Sequence, residues 1–122
     1  MTERPKILIV EDEPLILMDL VDSVEEAGFK TFEASSGEEA FEILDRCSDQ
    51  LDLLITDINL GVGLNGWDVA EKSRGLARGL PIIFVTGDSL CDWKERPFAN
   101  SRIFVKPIAP SKLLQAANNM MK

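Results

Sequence analysis

The sequence predicts a doubly wound α/β fold, with a five-stranded parallel sheet covered by helices on both faces. Three observations carry that prediction. Short apolar runs at Ile7–Val10, Leu53–Ile55, Ile82–Val85 and Ile103–Val105 mark strands, and the Leu53–Ile55 run fits one buried on both faces of a sheet. Between them lie segments whose apolar residues recur at helical spacing. Strand and helix signals alternate along the chain, the pattern of right-handed crossovers between parallel strands. At 122 residues and 45% hydrophobic content, the chain suits one domain, residues 1–122, with a single core.

The first strand, Lys6–Val10, runs straight into Glu11-Asp12-Glu13-Pro14. Pro14 fits the first turn of a helix, where no amide hydrogen is needed, and Leu17, Leu20 or Val21, Val24 and Ala27 form its inward face until Gly28 ends it. Lys30–Ala34 is the second strand. Ser36 and Glu39 have capping-box spacing ahead of Ala40, Ile43, Leu44 and Cys47 on one face of a second helix. The third strand, Leu51–Thr56, stops at Asp57. Gly61, Gly63, Asn65 and Gly66 make a turn-rich loop, followed by a third helix from about Trp67 to Ala77.

Pro81 opens the fourth strand, Ile82–Val85, which ends in Thr86-Gly87-Asp88. From Ser89 to Ser101 the helical pattern is broken by Pro97 and has one large anchor, Trp93, so a short or irregular helix is expected. The last strand, Ile103–Val105, ends in Lys106-Pro107. Pro110 and Ser111 then lead into a helix with Leu113, Ala116, Ala117 and Met120 inward.

Composition narrows the function. With 21 acidic against 13 basic residues the net charge is -8, which repels nucleic acid and anionic membranes. Cys47 and Cys91 lie in no CxxC spacing, so neither a zinc site nor a disulfide framework is indicated, and a reducing, cytoplasmic location is expected. No N-terminal signal pattern and no apolar string of membrane-spanning length is present. Histidine is absent, which excludes histidine base catalysis, histidine metal ligation and a phosphohistidine on this chain.

In sheets of this kind ligands bind beyond the carboxyl ends of the strands. Glu11 and Asp12 end the first strand, Asp57 the third, Thr86 the fourth and Lys106 the fifth, so all five side chains should gather at one edge. Three neighbouring carboxylates repel one another and call for a hard divalent cation; all-oxygen donors favour Mg²⁺. Such an ion beside a carboxylate, an ammonium and a hydroxyl suits phosphoryl chemistry, with Asp57 as nucleophile and an aspartyl phosphate as product. Each residue alone has an ordinary alternative. Glu11-Asp12-Glu13 fits a solvated helix N-terminus, Asp57 a turn cap, and Thr86 and Lys106-Pro107 strand-end punctuation. Their conjunction at the ends of different strands selects the site.

Over essentially its whole length the sequence resembles the receiver domain of bacterial two-component response regulators. Val10-Glu11-Asp12-Glu13-Pro14 looks like the family's acidic motif, and Asp57, Thr86 and Lys106-Pro107 match its phosphoacceptor, switch hydroxyl and Lys-Pro pair. The resemblance implies a flavodoxin-like sheet of order 2-1-3-4-5. It further implies Mg²⁺ held by Asp12, Asp57 and the Asn59 backbone carbonyl, with Glu11 acting through water, and Lys106 touching the phosphoryl group. Phosphate would come from a histidine kinase or histidine phosphotransfer protein. The implied role is a single-domain response regulator, a phosphoacceptor that can assist its own phosphorylation and dephosphorylation and is not otherwise an enzyme. It would be a monomer or weak homodimer that signals to an unknown output protein by protein contacts or phosphate traffic. The alternative is a phosphorylation-independent protein-binding module of the same fold. An aspartyl-intermediate phosphatase commonly carries a second Asp two residues after its nucleophile, where this chain has Asn59.

Three positions depart from the family pattern. Ile103 stands where an aromatic switch residue is usual, and Phe104 should face the other side of the sheet. Gly61–Gly66 replaces a Met-Pro run, so the loop is expected to be longer and more mobile than is common. The weak helix between Ser89 and Ser101 is expected to depend on phosphorylation for its order, with Trp93 as reporter. Asn59 and Asp88 lie where a hydrolytic water would approach, and are expected to shorten the lifetime of the phosphoryl mark.

Overall fold

A computed structural model describes residues 4–77, 79–87 and 99–121. Its strands are β1 (Lys6–Val10), β2 (Lys30–Ala34), β3 (Leu53–Asp57), β4 (Ile82–Thr86) and β5 (Ser101–Val105). All pairings are parallel and the order is β2-β1-β3-β4-β5, as expected. The α-helices among the described residues are α1 (Pro14–Glu26), α2 (Gly37–Cys47), α3 (Gly66–Leu76) and α4 (Pro110–Met120).

Alternation along the strands divides the core in two. Leu8, Val10, Leu54, Ile82 and Phe84 pack with Ala40 and Leu44 of α2 and Trp67, Val69 and Ala70 of α3. Ile7, Ile9, Leu53, Ile55, Ile83 and Val85 pack with Leu17, Val21 and Val24 of α1 and Leu113, Ala116 and Ala117 of α4. Trp67 and Phe84 meet at 4.6 Å between ring centroids. Ile103 joins the first cluster and Phe104 the second, so the two residues face opposite sides as alternation requires.

The register brings the strand ends level. Val10 pairs with Thr56, Asp57 with Val85, and Thr86 with Val105, so Glu11, Asp57, Thr86 and Lys106 emerge along one edge.

Several elements differ locally from expectation. β3 starts at Leu53, because a 3-10 turn at Ser48–Gln50 precedes it and the Asp52 carboxylate accepts the Lys6 amide at 2.8 Å. Ala27, expected inward, is exposed as the C-cap of α1. The α2 capping box is displaced. Ser36 Oγ accepts the Glu39 amide at 3.1 Å, but the Glu39 carboxylate reaches back to the amide and hydroxyl of Ser35, at 2.6 and 2.8 Å. At α3 a complete box forms instead between Asn65 and Asp68, with bonds of 3.0 and 2.8 Å, two short polar residues at the spacing the motif requires. Most of the Ser89–Ser101 segment, with Trp93 and Pro97, and the Asp88 position lie outside the described residues. Among the described residues no helix is long and apolar enough to cross a membrane.

Candidate functional site

The site is built on four strand ends. Glu11 follows β1 and is 1% exposed, while Asp57 closes β3 and is 6% exposed. Two carboxylates at such depth need compensation. Lys106, which follows β5, supplies it. Its Nζ donates to Glu11 Oε1 at 2.9 Å and to Asp57 Oδ2 at 2.7 Å. The remaining oxygens are also satisfied, since Glu11 Oε2 accepts the Glu13 amide and Asp57 Oδ1 the Asn59 amide, both at 3.1 Å.

Burial pushes the Glu11 carboxyl above its ordinary 4.5; hydrogen bonds from Lys106 and the Glu13 amide only partly oppose this, and the Asp57 charge adds to it. For the Lys106 ammonium burial acts downward, but the bonds and charges of Asp57 and Glu11 outweigh it and raise the group above 10.5. The site thus favours the charged form of Lys106 and disfavours that of Glu11.

Asp12 is exposed at the rim. One oxygen each from Glu11, Asp12 and Asp57 lie within 4.8 Å of one another, a spacing that can hold a metal ion. Thr86 is buried at the end of β4, where its carbonyl accepts the Lys106 amide at 2.7 Å. Asn59 turns its side-chain oxygen to the Gly61 amide, which donates to it at 3.2 Å. Every residue expected at the edge is therefore there. The unexpected feature is that Lys106 ties the first and third strand ends together directly.

Sequence reasoning passed over Gly66. A side chain there would strike the Asp57 carbonyl oxygen and come within 2.7 Å of Ile58 Cα. Its absence lets the start of α3 close onto the end of β3, and the Gly66 amide donates to the Ile58 carbonyl at 2.8 Å. Its place at the mouth of an Asn-x-x-Asp box was the available signal.

Fold and edge together define a doubly wound signalling-type domain with an acidic, lysine-bridged site at its strand carboxyl ends. The chain belongs to the response regulator receiver domain family, whose model matches residues 7–118. The crystal structure of a response regulator receiver protein from Sinorhizobium medicae WSM419 superposes with a TM-score of 0.91 at 29% identity, covering 98% of this chain and 95% of that one. The transcriptional regulatory protein CusR of Escherichia coli (strain K12) is 29% identical over 119 residues, 96% of this chain and 51% of that protein. The sensor histidine kinase RcsC of Escherichia coli is 29% identical over 90 residues, 74% of this chain and 9% of that protein. This chain thus spans about half of one of these curated relatives and about a tenth of the other. Receiver domains work with histidine kinases and phosphotransfer proteins in two-component signalling, and bind Mg²⁺ at an acidic site.

Proposed function

We propose that Asp57 accepts a phosphoryl group from a phosphohistidine on a histidine kinase or phosphotransfer protein, and that the chain passes the signal on through protein contacts or phosphate traffic. The observation that carries this reading is the Lys106 bridge between two buried carboxylates. An ammonium so placed compensates charge at rest and can exchange a carboxylate partner for a phosphoryl oxygen.

In the proposed reaction an Asp57 carboxylate oxygen forms a bond to phosphorus as the phosphorus–imidazole nitrogen bond breaks, and the departing imidazole keeps the bonding pair. Asp57 is held for in-line attack by the Asn59 amide on one oxygen and Lys106 on the other. Lys106 then follows the charge onto the phosphoryl group, and the Thr86 hydroxyl is the proposed donor to another phosphoryl oxygen. The donor set fits a hard divalent cation, because Glu11, Asp12 and Asp57 offer only oxygens and Asp12 is open to solvent. Mg²⁺ held by Asp12, Asp57 and the Asn59 carbonyl, with Glu11 behind, would neutralise charge on the phosphoryl oxygens. The chain is here a phosphoacceptor and not a turnover enzyme.

Incubation with Mg²⁺ and a small-molecule phosphodonor, followed by intact mass spectrometry, tests the proposal. The parent should gain one phosphoryl group and Asp57→Asn none. A parent that binds Mg²⁺ but gains nothing would overturn it in favour of a phosphorylation-independent binding module.

A further inference from the structure

The loop between β3 and α3 carries Asn59 and passes Asp12, and it is also tethered to another element. Glu38, in the first turn of α2, accepts the Leu64 amide through Oε2 at 3.2 Å. The same carboxylate fills the space over Gly63, where a side chain would come within 2.5 Å of it and where φ is +101°. Leu64 also lies against Gly37, whose bare face admits it; a Cβ there would fall 2.6 Å from Leu64 Cβ. At its other end the loop runs through Gly61, whose amide donates to Asn59 and whose missing side chain would stand 3.5 Å from Asp12 Oδ2. Residues 59–64 are thus strung between the acidic edge and the start of α2. The loop expected to be longer and more mobile than is common is thus anchored to a neighbouring helix.

We infer that Glu38 is a positioning residue for the acidic site: by holding Leu64 and Gly63 it orders the 59–64 segment and so prepares the Asn59 backbone and the Asp12 side of the site for a divalent cation. The inference deepens the phosphoacceptor reading and rests on it. Glu38 touches neither Asp57 nor the cation position, and acts only through the loop backbone. A carboxylate accepting an amide hydrogen is a stronger bond than one between neutral groups, which suits it to a solvent-facing tether. The side-chain length also matters, because the carboxylate must span from the helix to Gly63.

Two measurements on the metal-free, unphosphorylated chain test this. The first is Mg²⁺ affinity by titration calorimetry for the parent, Glu38→Ala, Glu38→Gln and Glu42→Ala. Glu38→Ala should weaken binding roughly 3- to 10-fold, the worth of one charge-assisted hydrogen bond partly exposed to water. Glu38→Gln keeps an acceptor oxygen and should stay within about twofold of the parent, as should Glu42→Ala, which removes the same charge from the same helix. The second is amide exchange across residues 59–64, which should accelerate in Glu38→Ala and not in Glu38→Gln. Equal weakening by Ala and Gln would show a through-space charge effect and overturn the inference, and so would unchanged affinity and exchange in Glu38→Ala. A parent that binds no Mg²⁺ would overturn the cation part of the functional reading itself, and with it the link from loop to site; the exchange data would still decide whether Glu38 orders the loop.

Discussion

Two ion pairs in this molecule have the same N···O separation and different meanings. Lys106 meets Glu11 at 2.9 Å, and Lys72 of α3 meets Asp45 of α2 at 2.9 Å. The lysine side chains are almost equally exposed, at 23% and 24%, but the Glu11 side chain is 2% exposed and that of Asp45 60%. The difference lies in the acid. A solvated carboxylate loses little when its partner leaves, whereas one at the floor of a sheet edge has no water to replace it. Distance alone does not rank such contacts. Burial of the acceptor does.

The largest expected effect comes from deleting the buried partner. Lys106→Met should cost about 1–3 kcal/mol in urea unfolding, less than a fully buried pair because the lysine is partly exposed. A variant as stable as the parent would break the comparison. Adding Glu11→Gln and Asp57→Asn to Lys106→Met should recover most of that loss, because no uncompensated charge then remains. If the triple variant is no better than the single one, charge is not what Lys106 neutralises.

Removing the exposed acid should matter far less, with Asp45→Ala within about 0.5 kcal/mol of the parent. Lys72→Ala should cost slightly more, since Lys72 Nζ also sits 4.8 Å from the Phe41 ring centroid and that contact is lost too. The smallest effect is visible only in acid. Hydrogen bonds from the Ser35 amide and hydroxyl hold the Glu39 carboxyl below 4.5. A lowered folded pKa makes its contribution present above 4.5 and lost as pH falls through the folded value. The stability difference between parent and Glu39→Gln should therefore be flat near neutral pH and shrink below 4.5; growth of the difference in acid would reverse the assigned sign.

The strand ends were legible because the strands announce themselves as apolar runs, in β1, β3 and β4 because they are buried and in the half-exposed edge strand β5 over Ile103–Val105, and the residue that stops each run is conspicuous. Glu11, Asp57, Thr86 and Lys106 could be placed on one edge from that alone, and the resemblance to receiver domains supplied the strand order. What the sequence concealed depends on contacts between exposed residues far apart in the chain. Glu38 and Leu64 are 26 positions apart and neither lies on a periodic face. Gly66 reads as a flexible turn residue until the Asp57 backbone is seen to occupy the space beside it. Ala27 kept helical spacing, but periodicity does not tell where a helix stops burying its side chains, and Gly28 follows with φ of +99°.

The close seating of Gly66 on Asp57 has an optical consequence. The next residue, Trp67, is 3% exposed and in ring contact with Phe84, so an indole stands one peptide unit from the backbone that touches Asp57, the proposed phosphoacceptor. In a Trp93→Phe background this chain carries a single tryptophan and no tyrosine. Its emission is a label-free gauge of that backbone, sensitive to changes that a surface dye would miss.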